Sequence, residues 1–298
     1  MVAMRSRATR KSGFGFVDAH HHLWDLGCHR YAWLTGDGDP RTTDWIGDYG
    51  AIRSSYSIDN YLGDAGSALI KSVHVEAGWS GSDPVMETRW LQAIADATGF
   101  PHAIVAAVDL CAADAAQALD KHLESRNVRG IRMTAMGDLV SRKSFRHGFA
   151  ALAERDLVYD LNIHVADLRH ATGLASAFPE TTIVVDNMAN PSSLSREELG
   201  RWRAAMRELA LAPNVVMKVS GLGMAEHSWT VDDIAPWVLA AVEIFTAERC
   251  MFGSNWPVDS LYGSFPRLLA AMREVTARLS ADDQDSFFWR TAERRYKI

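Results

Sequence analysis

Eight short segments rich in β-branched and apolar residues recur along this chain, at residues 14–23, 70–77, 102–110, 128–134, 158–165, 182–188, 215–222 and 250–257. Runs of that length and character mark strands buried on both faces. Helical stretches lie between them. Asp83-Pro84 offers a cap followed by Pro at the first helical position, with Trp90, Ile94 and Ala97 on one face. Ser195 with Glu198, Thr230 with Asp233 and Ser280 with Asp283 have capping-box spacing before further periodic stretches. Strand and helix in alternation, eight times over, imply a parallel sheet with crossover helices, and eight units close a barrel. The expected fold class is α/β, a single-domain (β/α)8 TIM barrel over 14–298 after a flexible N-terminal tail at 1–13. An open doubly wound sheet is the alternative, but no Gly-rich loop follows the first strand.

Composition narrows the class of function. At 48% hydrophobic and 23% charged residues the chain can bury a large core, which argues against disorder. The net charge of -6 is mixed along the chain, so neither nucleic acid nor a membrane surface is the expected partner, and a small polar molecule is. Cys28, Cys111 and Cys250 are odd in number and far apart, which speaks for a reducing compartment over a disulfide framework. With no apolar run of membrane length and no signal-like start, the expected location is cytoplasmic. The sequence leaves homo-oligomer formation open: Trp202, Trp229 and Trp237 suit an interface or the packing of helices on the barrel.

One connection is unusually long. Residues 24–57 hold no convincing helix but carry Trp24, Tyr31, Trp33 and Trp45. Loops of that length are usually functional. The segment reads as an aromatic wall or lid over the barrel mouth, with Trp24 and Trp33 against the substrate; simple packing on the barrel is the plain alternative.

Strand residues two apart point the same way, so His20 and His22 face one side and His21 the other. Two imidazoles at a strand end suit a divalent metal or a pair of polar groups for a substrate oxyanion, where barrel enzymes place catalysis. Other strand ends add Glu76, Asp109, Arg132, His164, Asn187, Lys218 with Ser220, and Asn255. Polar groups in apolar strands are costly to bury without partners, so their recurrence at one end points to a site. Individually His164 also fits a core histidine, Asp109 a helix cap and Lys218 a partner for a buried carboxylate.

Asp18-Ala19-His20-His21-His22-Leu23-Trp24, Tyr31-Ala32-Trp33-Leu34, Val128-Arg129-Gly130-Ile131-Arg132, Val219-Ser220-Gly221-Leu222 and Met251-Phe252-Gly253-Ser254-Asn255-Trp256-Pro257-Val258 resemble the amidohydrolase superfamily. They are most similar to its metal-dependent hydrolase branch of L-fuconolactonase and 2-pyrone-4,6-dicarboxylate lactonase. The resemblance runs from about Phe16 to the C-terminus. It implies a slightly distorted barrel that opens small cyclic esters, with paired histidines on strand one, a histidine on strand five and an Asp on strand eight. His20, His22 and His164 match. Two positions depart: Asp186-Asn187 stands where Asp-His is common, and Asn255 where strand eight usually carries Asp.

An amide has no useful basicity near neutral pH, so Asn255 cannot be the general base, although its carbonyl can still approach a metal. The resemblance implies a divalent metal, zinc first, held by His20, His22, His164 and Glu76; a metal-free mechanism is the alternative. The expected chemistry is hydrolysis of a lactone or related ester. His20 and His22 polarise the carbonyl, Arg132, Lys218 and Asn187 bind substrate, and Glu76 or His164 activates water. A non-hydrolytic lyase on the same barrel (decarboxylase, dehydratase or cyclase) is one alternative, which loss of the strand-eight Asp favours. A non-catalytic barrel that binds a small molecule is the other.

Overall fold

The computed structural model describes residues 13–36, 40–134 and 137–298. Eight parallel strands lie in sequence order: β1 (Phe16–His21), β2 (Leu69–Val75), β3 (Ala103–Ala107), β4 (Val128–Thr134), β5 (Val158–Asn162), β6 (Ile183–Val185), β7 (Val215–Val219) and β8 (Cys250–Phe252). The seam between β8 and β1 is closed just beyond β8 by a parallel bridge between His21 and Trp256, where the His22 N–H donates to the Trp256 carbonyl at 2.7 Å. The result is a (β/α)8 barrel in one domain. The expected N-terminal tail lies outside the described residues except for Gly13.

Small apolar side chains fill the barrel, among them Val17, Ala19, Val73, Val105, Val184 and Val216, all fully buried. A larger apolar shell joins the outer face of the strands to the helices. Trp202 and Trp237 belong to that shell, fully buried and 5.6 Å apart, and Trp229 is buried as well. Their role is helix-to-barrel packing, which removes the interface reading for these three. The helices begin where their caps allow. Ser195 accepts from the Glu198 N–H ahead of Arg196–Leu209, Thr230 and Asp233 form a capping box ahead of Val231–Phe245, and Ser280 accepts from Asp283. Pro84 lies at the cap itself, one position earlier than expected, with the helix running Val85–Thr98.

The connection after β1 is more regular than its composition suggests. It holds a helix at Pro40–Ile46 and short 3-10 turns at Ala32–Leu34 and Gly50–Ile52. Its paired aromatics, not hydrophobic periodicity, anchor these pieces: Trp24 and Trp33 meet edge to face at 5.5 Å, and Trp33 tilts on Tyr49 at 5.8 Å. No helix among the described residues is long and apolar enough to cross a membrane.

Candidate active site

A cavity of about 280 Å³ opens at the C-terminal end of the strands, lined by residues from β4 and β5 and from the segments just after β1, β2, β6, β7 and β8, with Trp33, Thr42, Trp45 and Ile46 from the long connection. On β1, Val17 and Ala19 point into the barrel core, so strict alternation would put His21 inside as well. The register of β1 against β2 slips between Asp18 and His21, and the slip reverses this. His21 faces outward and stacks on Tyr61 at 3.9 Å, while His20 and His22 bring their Nε2 atoms within 3.2 Å of each other.

The tautomers follow from the partners. His22 Nδ1 lies 2.8 Å from the Val75 carbonyl, which only accepts, so this nitrogen carries the proton. His20 Nδ1 lies 3.4 Å from the Asp186 carboxylate, also an acceptor, outside hydrogen-bonding geometry. With the His20 proton on that side, two Nε2 lone pairs converge at one point beside the cavity. Burial pushes His20 down to about 4 against the pull of Asp186, and burial with the neighbouring His20 and Arg132 holds His22 well below the usual histidine value. Both rings are neutral bases at pH 7.

Behind them lies a chain of buried charge. Burial alone would raise the Asp186 pKa, but Lys218, His20 and Arg132 together hold it far below the carboxylate range. Lys218, fully enclosed, reaches Asp186 at 3.1 Å and also bonds Asp160, to which Tyr296 donates at 2.8 Å. Lys218 thus supports carboxylates inside the barrel and does not line the cavity, a correction to its expected role in substrate binding. Arg132 and Glu76 do line it, as a pair: Arg132 Nε donates to Glu76 Oε1 at 2.7 Å and Nη2 to the Glu76 carbonyl at 2.5 Å. Glu76 is engaged there and by the Gly78 N–H, so it is not a free base.

Three asparagines form the rest of the polar floor. Residues 187–190 are four consecutive non-glycine residues with φ between +46° and +59°, a left-handed turn that L-residues resist by about 1–2 kcal/mol each. It is clamped by Trp202 Nε1 to the Met188 carbonyl at 2.7 Å, Ser220 to Asn187 at 2.6 Å and Asn190 to Asn162 at 2.8 Å. Gly221 is required here, since a Cβ on it would lie 2.8 Å from Asn187 Cγ at a φ of +68°. Asn190 Nδ2 also donates to the Ile163 carbonyl, which fixes the Asn190 amide and, through it, the Asn162 oxygen as acceptor. Asn162 Nδ2 then faces Thr134 at 3.3 Å and the cavity. Asn255, at φ +56°, donates Nδ2 to Asp259 at 2.8 Å, which leaves its carbonyl oxygen for the cavity. Burial raises Asp259 to about 7, eased by the Asn255 amide and the Gly223 N–H.

Of the expected residues, His22, Trp33, Glu76, Arg132, Asn187 and Asn255 line the cavity, with His20 directly behind His22. His164 does not join them. β5 ends at Asn162, and His164, on the turn beyond, is exposed with its ring 5.8 Å from that of Trp45. Trp24 is fully buried behind Trp33 and donates to the Ser54 carbonyl, away from the cavity. Asp109 is exposed and accepts from the Cys111 N–H, a turn role. Sequence reasoning missed Asn162, Asp160, Asp259 and Tyr296. The signal for the first two was present: Asp160 and Asn162 are two apart on one strand and share the face of Val158.

The donor set expected for a metal is not assembled. His164 is at the rim and Glu76 is bound to Arg132. Among the described residues no group of three His, Cys, Asp or Glu side chains could hold an ion. Two imidazoles with neutral amides do not make a resident zinc centre of the usual three or four protein ligands.

Comparison with known proteins agrees with the fold. A family model described as Amidohydrolase matches residues 17–298. The chain is 36% identical to the uncharacterized protein y4mH of Sinorhizobium fredii over 96% of its length and all of the relative's. It is 28% identical to an L-fucono-1,5-lactonase of Burkholderia multivorans, covering 95% of this chain and 96% of that one. Crystal structures of an amidohydrolase from Burkholderia multivorans, one with HEPES bound and one with zinc, superpose with TM-scores of 0.80 and 0.79 at 29% identity, over 95% of this chain and 99% of theirs. The chain belongs to the amidohydrolase family and is a hydrolase.

Proposed function

We propose that the chain hydrolyses a lactone or a related cyclic ester of a small molecule, and that the His20–His22 pair is its general base. The observation that carries this reading is the convergence of two Nε2 lone pairs at 3.2 Å beside the cavity, with both Nδ1 atoms turned to acceptors. A proton taken from water and held between those nitrogens removes their mutual repulsion. The Asp186 carboxylate stabilises the positive charge it leaves on the pair, much as the acid of a catalytic triad stabilises imidazolium. The lactonase name of the Burkholderia multivorans relative supports the substrate type.

In this reading the Asn255 carbonyl accepts one hydrogen of the water and the histidines take the other. The water oxygen bonds to the lactone carbonyl carbon, and the Arg132 guanidinium with the Asn187 and Asn162 amides stabilises the oxyanion. The ring C–O bond then breaks, and the proton returns from the imidazoles to the departing alkoxide, giving a hydroxy acid. A zinc ion such as the one in the Burkholderia multivorans structure would supply Lewis acidity; with the donor set present here no step is routed through one. Turnover in H₂¹⁸O tests the class of reaction. One labelled oxygen in the product carboxylate is expected, and unlabelled product would establish the lyase alternative.

A further inference from the structure

We infer that His74 is a positioning residue for the reaction: it holds the end of β1 in the slipped register that turns His20 and His22 toward each other. The inference rests on the reading of that pair as the base and assigns what keeps the pair aimed.

From the pairing of Asp18 with Ser72 to that of His21 with His74, β1 advances three residues while β2 advances two. The extra residue on β1 is a bulge, and a bulge leaves backbone groups that the strand ladder no longer serves. Groups around it take them up. The His20 N–H donates to Asp18 at 3.1 Å and the His22 N–H to the Trp256 carbonyl at 2.7 Å. The N–H of Leu23, a fully buried residue, donates to His74 Nε2 at 2.9 Å.

His74 meets this N–H at a cost. Because Nε2 accepts, the proton of the neutral imidazole is on Nδ1. That atom is buried and has no hydrogen-bond partner among the described residues, an expensive state for a donor. An apolar side chain would fill the same space without the penalty, so packing alone does not account for a histidine here.

The surroundings show what the bond secures. The His74 ring stands edge to face against both His21, at 5.4 Å, and His22, at 6.2 Å. The carbonyl of the next residue, Val75, accepts the His22 Nδ1 proton at 2.8 Å. His74 and Val75 thus fix the backbone just beyond His22 and the far nitrogen of its ring, which leaves Nε2 aimed at His20 Nε2, 3.2 Å away. Without the Leu23 bond the end of β1 is free to return toward regular alternation, which carries His22 away from the cavity.

Two variants separate the bond from the packing: His74→Phe keeps a ring but no acceptor, and His74→Gln brings an amide oxygen to the position of Nε2. The readouts are kcat and KM on L-fucono-1,5-lactone and dihydrocoumarin, thermal melts, and NMR of Leu23 amide exchange and of the His22 ring nitrogens. In the parent, the Leu23 amide is expected to be protected and His22 to be the Nδ1–H tautomer. His74→Phe should lower kcat at least about 30-fold with KM within about threefold, speed Leu23 exchange at least about tenfold and mix the His22 tautomers. His74→Gln should return kcat and exchange to within about fivefold of the parent. A folded Phe variant with parental kcat, a Gln variant as impaired as the Phe variant, or a Leu23 amide that exchanges freely in the parent overturns the assignment. Should the Phe variant not fold, the Gln variant and the parent's Leu23 amide decide it. Leu23 exchange and the His22 tautomer are read without turnover: if His20→Gln and His22→Gln leave kcat unchanged, the base reading fails, and these two still decide whether His74 holds the register.

Discussion

Replacing Asp186 with Asn probes the link between the buried charges and the base. The side chain is fully buried and does not line the cavity, so it acts on the reaction only through its neighbours. At 3.4 Å from His20 Nδ1, a carboxylate stabilises an imidazolium by about 5 kcal/mol at an effective dielectric of 20. Lys218, 3.1 Å from the same oxygen, competes for that charge, and roughly 3 kcal/mol remains as a working value. The expected result is a fall of about 10²-fold in kcat, with KM changed less than about threefold. Asn occupies the same volume and Lys218 keeps Asp160, so the fold should persist; steady-state kinetics on the best lactone, with a thermal melt beside it, would measure both. A folded variant that keeps kcat within about threefold of the parent, or that loses activity wholly through KM, would refute the assignment.

Other consequences follow from the same geometry. Asp259→Leu removes the acceptor that orients the Asn255 amide and should lower kcat about 10-fold or more, whereas Asp259→Asn, which can present its carbonyl to the same N–H, should recover most of it; equal loss in both variants would count against the orienting role. Exhaustive chelation followed by kinetics should leave kcat/KM within about twofold, since the donor set is short of a metal centre; activity lost to chelator and restored by zinc would contradict this. Glu87 gives a pH-dependent term: burial, with Glu76 adding, raises its carboxyl from 4.5 to about 8. A raised value means that this contribution to stability is full below 4.5 and is lost as pH climbs through about 8. Glu87→Gln should therefore gain on the parent over that window by up to about 1.4 kcal/mol per pH unit in denaturant melts, and a difference that is flat with pH would count against it.

Much of the architecture was legible because buried parallel strands and helix caps are local signals. Ser195, Thr230 and Ser280 cap the helices as their spacing implies, and seven of the eight strands fall within the apolar segments, with β2 starting one residue earlier, at Leu69. The long connection was less legible: the helix Pro40–Ile46 lacks a periodic apolar face, and its neighbouring turns are held by aromatic pairing, which leaves no sequence period. At the site, Glu76 and Arg132 could be read from their positions at the ends of the second and fourth strands, and the shared face of His20 and His22 from their spacing, whereas the face itself depends on a register slip that alternation does not encode. His164 was misplaced because the motif resemblance counted a histidine near strand five, whereas the strand stops at Asn162 and the two further residues carry His164 around the rim. Lys218 was placed on the right strand but at the wrong depth. Which layer of a barrel a side chain occupies depends on shear across all eight strands, and no single segment encodes that.

The central claim is that His20 and His22 act as one base. Single variants His20→Gln and His22→Gln, with the double variant, would measure it as a kinetic cycle on the best substrate. Each single change should lower kcat about 10³-fold, and the double variant should be no worse than the poorer single one, since a proton held between two nitrogens is lost when either goes. Losses that multiply in the double variant, or a folded single variant with near-parental kcat, would contradict the account.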